Sequence, residues 1–170
     1  MLLSIRAATA RDLPAIVRIY NESIPGRMAT ADLTPVTVKS RRSWFAGHRG
    51  KKMPLWVAVS RGRVVGWLSF QFFYGRAAYR RTVEVSVYVA KTAQGRGVGA
   101  QLLAASISGA PALGIKTILA FVFEHNAPSL GLFKKFGFKR WGLLPKVAEL
   151  DGAERGLAIL GAKFGSRAGP

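Results

Sequence analysis

The stretch Gln94-Gly95-Arg96-Gly97-Val98-Gly99-Ala100 constrains this chain more than any other. It follows an apolar, β-branched run, Val83 to Val89, and precedes a helical pattern that opens with Gln101-Leu102-Leu103. A strand, a glycine-rich turn and a helix in succession leave the first amides of the helix without backbone partners and put the positive end of its dipole at the turn. Glycine matters there because side chains would keep a ligand off the backbone. The arrangement is an anion site, most often for phosphate. Glycine spacing alone fits a tight, ligand-free turn equally well, so the rest of the chain has to decide.

At 170 residues and 49% hydrophobic content, the chain suits one domain with a sizeable core. That domain is expected over residues 1–164, with 165–170 as a frayed tail. The absence of cysteine excludes disulfides, thiolate nucleophiles and zinc–thiolate sites, and two histidines, His48 and His125, are too few for most metal centres. No metal is expected. Met1 to Ala10 carries Arg6 inside a short apolar run and lacks the core of a signal peptide. No apolar run reaches about eighteen residues. A cytoplasmic protein without membrane attachment is the expectation, and homodimerisation stays open.

The 26 basic and 8 acidic residues give a net charge of +18, which attracts something anionic. Nucleic acid, a polyanionic cofactor and plain compositional bias each fit. The cations spread from Arg6 to Arg167, densest at Lys39, Arg41, Arg42, Arg49, Lys51 and Lys52. No nucleic-acid-binding motif accompanies them, so no specific nucleic-acid partner is expected.

Taken in order, residues 2–8 read as a strand, and Thr9 with Asp12 opens a helix that runs to Ser23 before Pro25-Gly26. A second helix is expected from Pro35 to Gly47. Pro54 to Ser60 and Val64 to Phe73 read as a hairpin about Arg61-Gly62, followed by a long strand, Tyr79 to Ala90. A helix from Val98 to Ala110, a buried strand from Lys116 to Glu124 and a helix from Asn126 to Phe136 come next. Phe138 to Lys146 and Glu149 to Phe164 supply the closing strands, with a turn at Asp151-Gly152. The order β-α-α-β-β-β-α-β-α-β-β implies a single mixed α/β domain.

Glu84 stands alone. It is the only acidic residue from Leu33 to Phe123, among fourteen basic ones. Alternation puts Val83, Val85, Val87 and Val89 on one face of their strand and Thr82, Glu84, Ser86 and Tyr88 on the other. A carboxylate in a central strand needs a partner or a chemical task. Two readings therefore compete: an ion pair with Arg80, Arg81 or another cation, and a proton acceptor.

Val87-Tyr88-Val89, the motif Gln94, Gly97 and Gly99, Asn126, and Phe136-Gly137-Phe138 together resemble the GNAT superfamily of N-acetyltransferases over nearly the whole chain. Ile19-Tyr20-Asn21, Thr82-Val83-Glu84 with Ser86 to Val89, and Asn126 to Phe138 look most like its phosphinothricin and methionine sulfone acetyltransferases. The resemblance implies a mostly antiparallel mixed sheet of about seven strands, flanked by about four helices, with a splayed central strand pair. It also implies acetyl-CoA as the cofactor and a small amine as the acceptor. A catalytically degenerate member that binds an anionic partner is the alternative, as is an enzyme for a different amine.

The resemblance assigns roles residue by residue. Gly95, Arg96, Gly97, Val98, Gly99 and Ala100, with Gln94, would hold the pyrophosphate. Val87, Tyr88 and Val89 would offer a strand edge to the pantetheine arm, and Asn126 and Ser129 would touch the cofactor. Tyr88 fits core packing as well, and Asn126 fits a helix N-cap. Glu84 would take the proton of the acceptor ammonium, directly or through water. Arg76, Tyr79, Arg80, Arg81, Thr82 and Ser86 would meet the acceptor, although the arginines fit a solvated basic face equally well. Ala29-Thr30-Ala31 would wall the pocket. Phe133 stands where many relatives have Tyr or His, which removes a side-chain acid for the departing thiolate.

Overall fold

The structure is a computed structural model that describes residues 2–48 and 53–164. Arg49, Lys51 and Lys52 of the basic cluster, and the 165–170 tail, lie outside the described residues. Strand β1 (Ser4–Ala7) leads through a short 3-10 turn into helix α1 (Leu13–Ser23). The Thr9 backbone N–H and hydroxyl both donate to Asp12, at 2.7 and 2.9 Å. Arg6 holds the same carboxylate through two nitrogens, at 2.7 and 2.9 Å. Leu13, Ile16, Val17 and Ile19 then form the buried stripe of α1.

Helix α2 spans Val38–Gly47, three residues later than the proline suggested. Thr37 is extended, and its hydroxyl caps the helix by accepting from the Ser40 N–H at 3.1 Å. The backbone of Val36 is occupied elsewhere, bonded at both N–H and C=O to the Asn21 side chain at 2.9 Å.

Strands β2 (Leu55–Ser60) and β3 (Arg63–Phe72) form the expected hairpin. Strand β4 covers Thr82–Val89 and starts later than the expected Tyr79, because Ala77–Tyr79 is a 3-10 turn. Tyr74 and Gly75, both with positive φ, redirect the chain there. Helix α3 is Val98–Gly109, β5 is Thr117–Phe123 and α4 is Ala127–Lys135. The last hairpin is β6 (Lys139–Leu150) and β7 (Ala153–Lys163), turning at Asp151-Gly152. The break expected after Lys146 is a bulge rather than a strand end. Lys146 takes φ 50° while the β6–β7 register shifts between Leu144 and Ala148.

The seven strands make one sheet in the order β1-β2-β3-β4-β5-β7-β6. Only the β4–β5 pair is parallel, and it covers just Thr82↔Thr117, Val83↔Ile118 and Glu84↔Leu119. Past Glu84 the two strands part, as expected of a splayed central pair. Helix α3 packs on one face, where a Cβ on Gly66 would meet Val98 and Leu102. Helix α1 packs on the other, where the Trp67 indole N–H donates to Ile16 O at 3.1 Å. Among the described residues, no helix is long and apolar enough to cross a membrane.

Candidate active site

The glycine stretch forms one wall of a groove of about 770 Å³ between β4, α3 and α4. Gly95 and Gly97 have φ of 70° and 78° with nothing near a Cβ, so the turn needs glycine for backbone conformation rather than for space. Gly97 is the N-cap of α3, and the amides that follow it have no intrahelical acceptor. Gly99 serves differently. A Cβ there would stand 3.3 Å from Leu132 and 3.6 Å from Val89, so its bareness lets α3 settle against β4 and α4.

A second cavity, of about 410 Å³, lies where β4 and β5 part. It contains Glu84 and Ser86, and it shares Val87, Tyr88, Asn126, Ser129 and Phe133 with the groove. The two spaces are therefore contiguous. Beyond Glu84 the side of β4 that faces β5 has lost its strand partner, leaving backbone donors and acceptors for something else to satisfy.

Glu84 is half-buried, and burial raises its pKa above the ordinary carboxylate value. Among the described residues no cation pairs with it and no donor bonds to it. The ion pair with Arg80 or Arg81 is thus not what this structure contains. Its cross-strand neighbour on β3 is Gln71.

The loop from Met28 to Ala31 walls the cavity, and three side chains fix it. Asn126 caps α4 by accepting from the Ser129 N–H at 3.1 Å while its amide donates to Met28 O at 2.8 Å. The Tyr88 hydroxyl donates to Ala29 O at 3.2 Å. His125 Nε2 lies 2.7 Å from Arg27 O, so that nitrogen carries the proton. Tyr88 does double duty. Its ring stacks on Trp67 at 4.6 Å and meets the Tyr20 edge at 5.1 Å, and it lines both spaces. Burial raises the pKa of its phenol and keeps it neutral.

Not every expected residue converges. Gln94, Gly95, Gly97, Val98, Gly99 and Ala100 line the groove with Val87, Tyr88 and Val89, but Arg96 faces a different hollow, beside Arg61 and Arg63. Arg76, Tyr79, Arg80 and Arg81 are exposed in the β3–β4 connection and do not line the Glu84 cavity. Thr82 sits in the paired part of β4. Sequence reasoning missed Met28, Val147 and Ala148, which also line that cavity. The last two come from the β6 bulge, which no local signal placed beside β4.

Residues 14–138 match the model of the acetyltransferase (GNAT) family. The chain is 50% identical over 163 residues to a Bacillus subtilis protein provisionally named as a phosphinothricin acetyltransferase, covering 95% of this chain and 99% of that one. It is 37% identical over 153 residues to an L-methionine sulfoximine/L-methionine sulfone acetyltransferase of Pseudomonas aeruginosa, covering 89% of each. The fold superposes on a Sinorhizobium meliloti phosphinothricin acetyltransferase solved with acetyl-CoA, with a TM-score of 0.92, 31% identity and coverage of 97% of this chain and 90% of that one. With its strand order, splayed β4–β5 pair and glycine turn, the chain belongs to the GNAT acetyltransferase family.

Proposed function

We propose that this protein transfers an acetyl group from acetyl-CoA directly to the amine of a small amino-acid analogue, such as phosphinothricin or methionine sulfone. The observation that carries the reading is the meeting of two spaces where β4 and β5 part: a groove with helix-terminal amides, and a cavity with an unpaired, half-buried carboxylate. The groove suits coenzyme A. Its α3 amides match a pyrophosphate, and the unpartnered edge of β4 matches an extended, amide-containing arm. The cofactor supplies an acyl thioester.

The chain's residues do the rest. Glu84 accepts the proton of the acceptor ammonium, because only the free amine has a lone pair for attack. Burial raises the pKa of Glu84, which makes its carboxylate a better proton acceptor. A backbone N–H between Val87 and Val89 stabilises the oxyanion that develops. Asn126 and Ser129 line the junction of the two spaces. Phe133 carries no exchangeable proton, so water returns one to the thiolate. With Arg76, Arg80 and Arg81 outside the cavity, their part is to draw an anionic acceptor toward it rather than to clamp it.

The test is a thiol-release screen of purified protein with acetyl-CoA against amino-acid analogues, polyamines, aminoglycosides and peptide amines, ranked by kcat/KM. An amino-acid analogue should lead. A polyamine, aminoglycoside or peptide leading by an order of magnitude overturns the acceptor class.

A further inference from the structure

Arg27 joins the loop that walls the Glu84 cavity to the turn of the β6–β7 hairpin, and the chemistry above gives it no part. It follows a short 3-10 turn, Ile24–Gly26, and takes φ 51° and ψ 28°, in the left-handed region. Glycine reaches that region at little cost, and a residue with a long side chain does not. Yet Gly26, one residue earlier, has no positive φ, and the left-handed place goes to arginine. Backbone conformation does not call for arginine there, so the side chain is what the position uses.

All three nitrogens of the guanidinium are engaged. Nε donates to Asp151 Oδ2 at 2.7 Å and Nη2 to Oδ1 at 3.1 Å, a two-pronged pair, while Nη1 donates to Ile24 O and Leu33 O, each at 3.1 Å. The main chain of the same residue is tied as well. Its N–H donates to Ile24 O at 3.1 Å, and its carbonyl accepts from His125 Nε2 at 2.7 Å. Arg27 thus closes the loop across Ile24 and Leu33 and holds it to a carboxylate 124 residues away in sequence.

Asp151 leads to a second wall. It opens the β6–β7 turn with φ 51°, followed by Gly152 at 78°. Beyond the bulge between Leu144 and Ala148, the tip of that hairpin is paired at Ala148↔Arg155, Glu149↔Glu154 and Leu150↔Ala153. Leu150, 4% exposed, anchors the tip by burial. Val147 and Ala148 at its base line the Glu84 cavity, as do Met28 to Ala31 of the loop. The ion pair therefore connects two segments whose separation sets the width of the cavity. We infer that Arg27 is a positioning residue for acetyl transfer: through Asp151 it holds the Met28–Ala31 loop and the β6 bulge at the spacing that an acceptor at Glu84 requires. The inference rests on the proposed transfer at Glu84 and gives Arg27 no contact with the reacting groups.

The experiment measures kcat and KM for methionine sulfone and phosphinothricin in the parent, Asp151→Asn, Arg27→Gln and the double variant. Asparagine keeps the shape of Asp151 and accepts the left-handed turn, and it removes only the charge. The two side chains are 25% and 62% exposed, and a pair so placed shifts a local equilibrium by up to about fivefold. Asp151→Asn should raise the acceptor KM by about threefold, as when the competent arrangement falls to about a third of the population, with kcat within about twofold of the parent. The melting temperature should match the parent's, and so should acetyl-CoA affinity by calorimetry, since none of the described β6 residues lines the groove. Adding Asp151→Asn to Arg27→Gln should change KM no further, because the two residues act as one tie. An unchanged KM in Asp151→Asn, or two effects that multiply in the double variant, overturns the role while leaving acetyl transfer intact. A parent that acetylates neither compound overturns the proposed function, and this role with it.

Discussion

Replacing Glu84 by Gln separates chemistry from architecture because of what does not surround it. If Glu84 were one half of a buried ion pair, its neutralisation would strand a cation and destabilise the fold by about 3–5 kcal/mol. No such cation pairs with it among the described residues. Its pKa is raised by burial, so ionising it opposes folding, and the stability linked to the protonated form is lost as pH rises through the folded-state value. Glu84→Gln should therefore leave stability at neutral pH unchanged or slightly increased. Activity should behave in the opposite way. A positioned general base contributes roughly 10²–10⁴-fold, which is about 3–5 kcal/mol of transition-state stabilisation. Thiol release should fall by about that factor, and the acidic limb of the pH profile of kcat/KM, placed above the ordinary carboxylate range in the parent, should disappear. Acetyl-CoA affinity by calorimetry should hold, since the groove does not include Glu84. A melting temperature that drops steeply would reveal a structural pairing. Full activity with the parent's pH profile would refute the base assignment.

Two further outcomes follow from other parts of the fold. Asp12 is 7% exposed, and its pKa is pulled down to about 2, chiefly by Arg6 and then by the Thr9 N–H and hydroxyl. A depressed folded-state pKa means the stabilisation is present above the unfolded value and lost as pH falls from about 4 to about 2. Asp12→Ala should thus lower stability by about 2 kcal/mol at pH 7 in denaturant titrations, with the gap to the parent closing near pH 2. Gly97→Val should weaken acetyl-CoA binding by roughly tenfold or more in calorimetry, because a β-branched residue resists the left-handed conformation that aims the α3 amides. Parent-like affinity in a folded Gly97→Val protein would count against the pyrophosphate site.

The element order was legible in the sequence because each element carries a strong local signal. The glycine turn, the alternation from Val83 to Tyr88 and the Asp151-Gly152 turn all act within a few residues. Boundaries went wrong where a side chain from elsewhere settled the matter. The Asn21 side chain occupies the Val36 backbone and delays α2, and the Tyr74-Gly75 turn delays β4. The groove was legible for the same local reason as the turn that forms its wall. The surroundings of Glu84 were less so. Arginines close to Glu84 in sequence stay at the surface, while Ser69 and Gln71 come to its side of the sheet through β3–β4 register. Pairing register could have suggested Gln71, since both strands were foreseen, but the exact partner depends on the length of the intervening loop. The cleft beside Ser69 has no local signature, because its shape depends on how α1 and α2 seat against the sheet.

Strand β4 reconciles two demands that a transferase makes on one short segment. Its odd-numbered valines face α3, and Val87 and Val89 line the groove beside the glycine turn. Its even-numbered residues, Glu84, Ser86 and Tyr88, face α1 and α2, where Ser86 and Tyr88 also line a hollow against those helices. Alternation alone would keep the two sides apart, since a fully paired strand is a wall between the faces of its sheet. The wall opens because β4–β5 pairing stops at Glu84↔Leu119. The carboxylate thus sits at the last paired position, held by the ladder on one side and bordering open space on the other. The loop beside it is fastened through the carbonyls of Arg27, Met28 and Ala29 by His125, Asn126 and Tyr88. Prepositioning of this kind can supply a large part of a transfer rate without a covalent intermediate, in a chain that has no cysteine to form one.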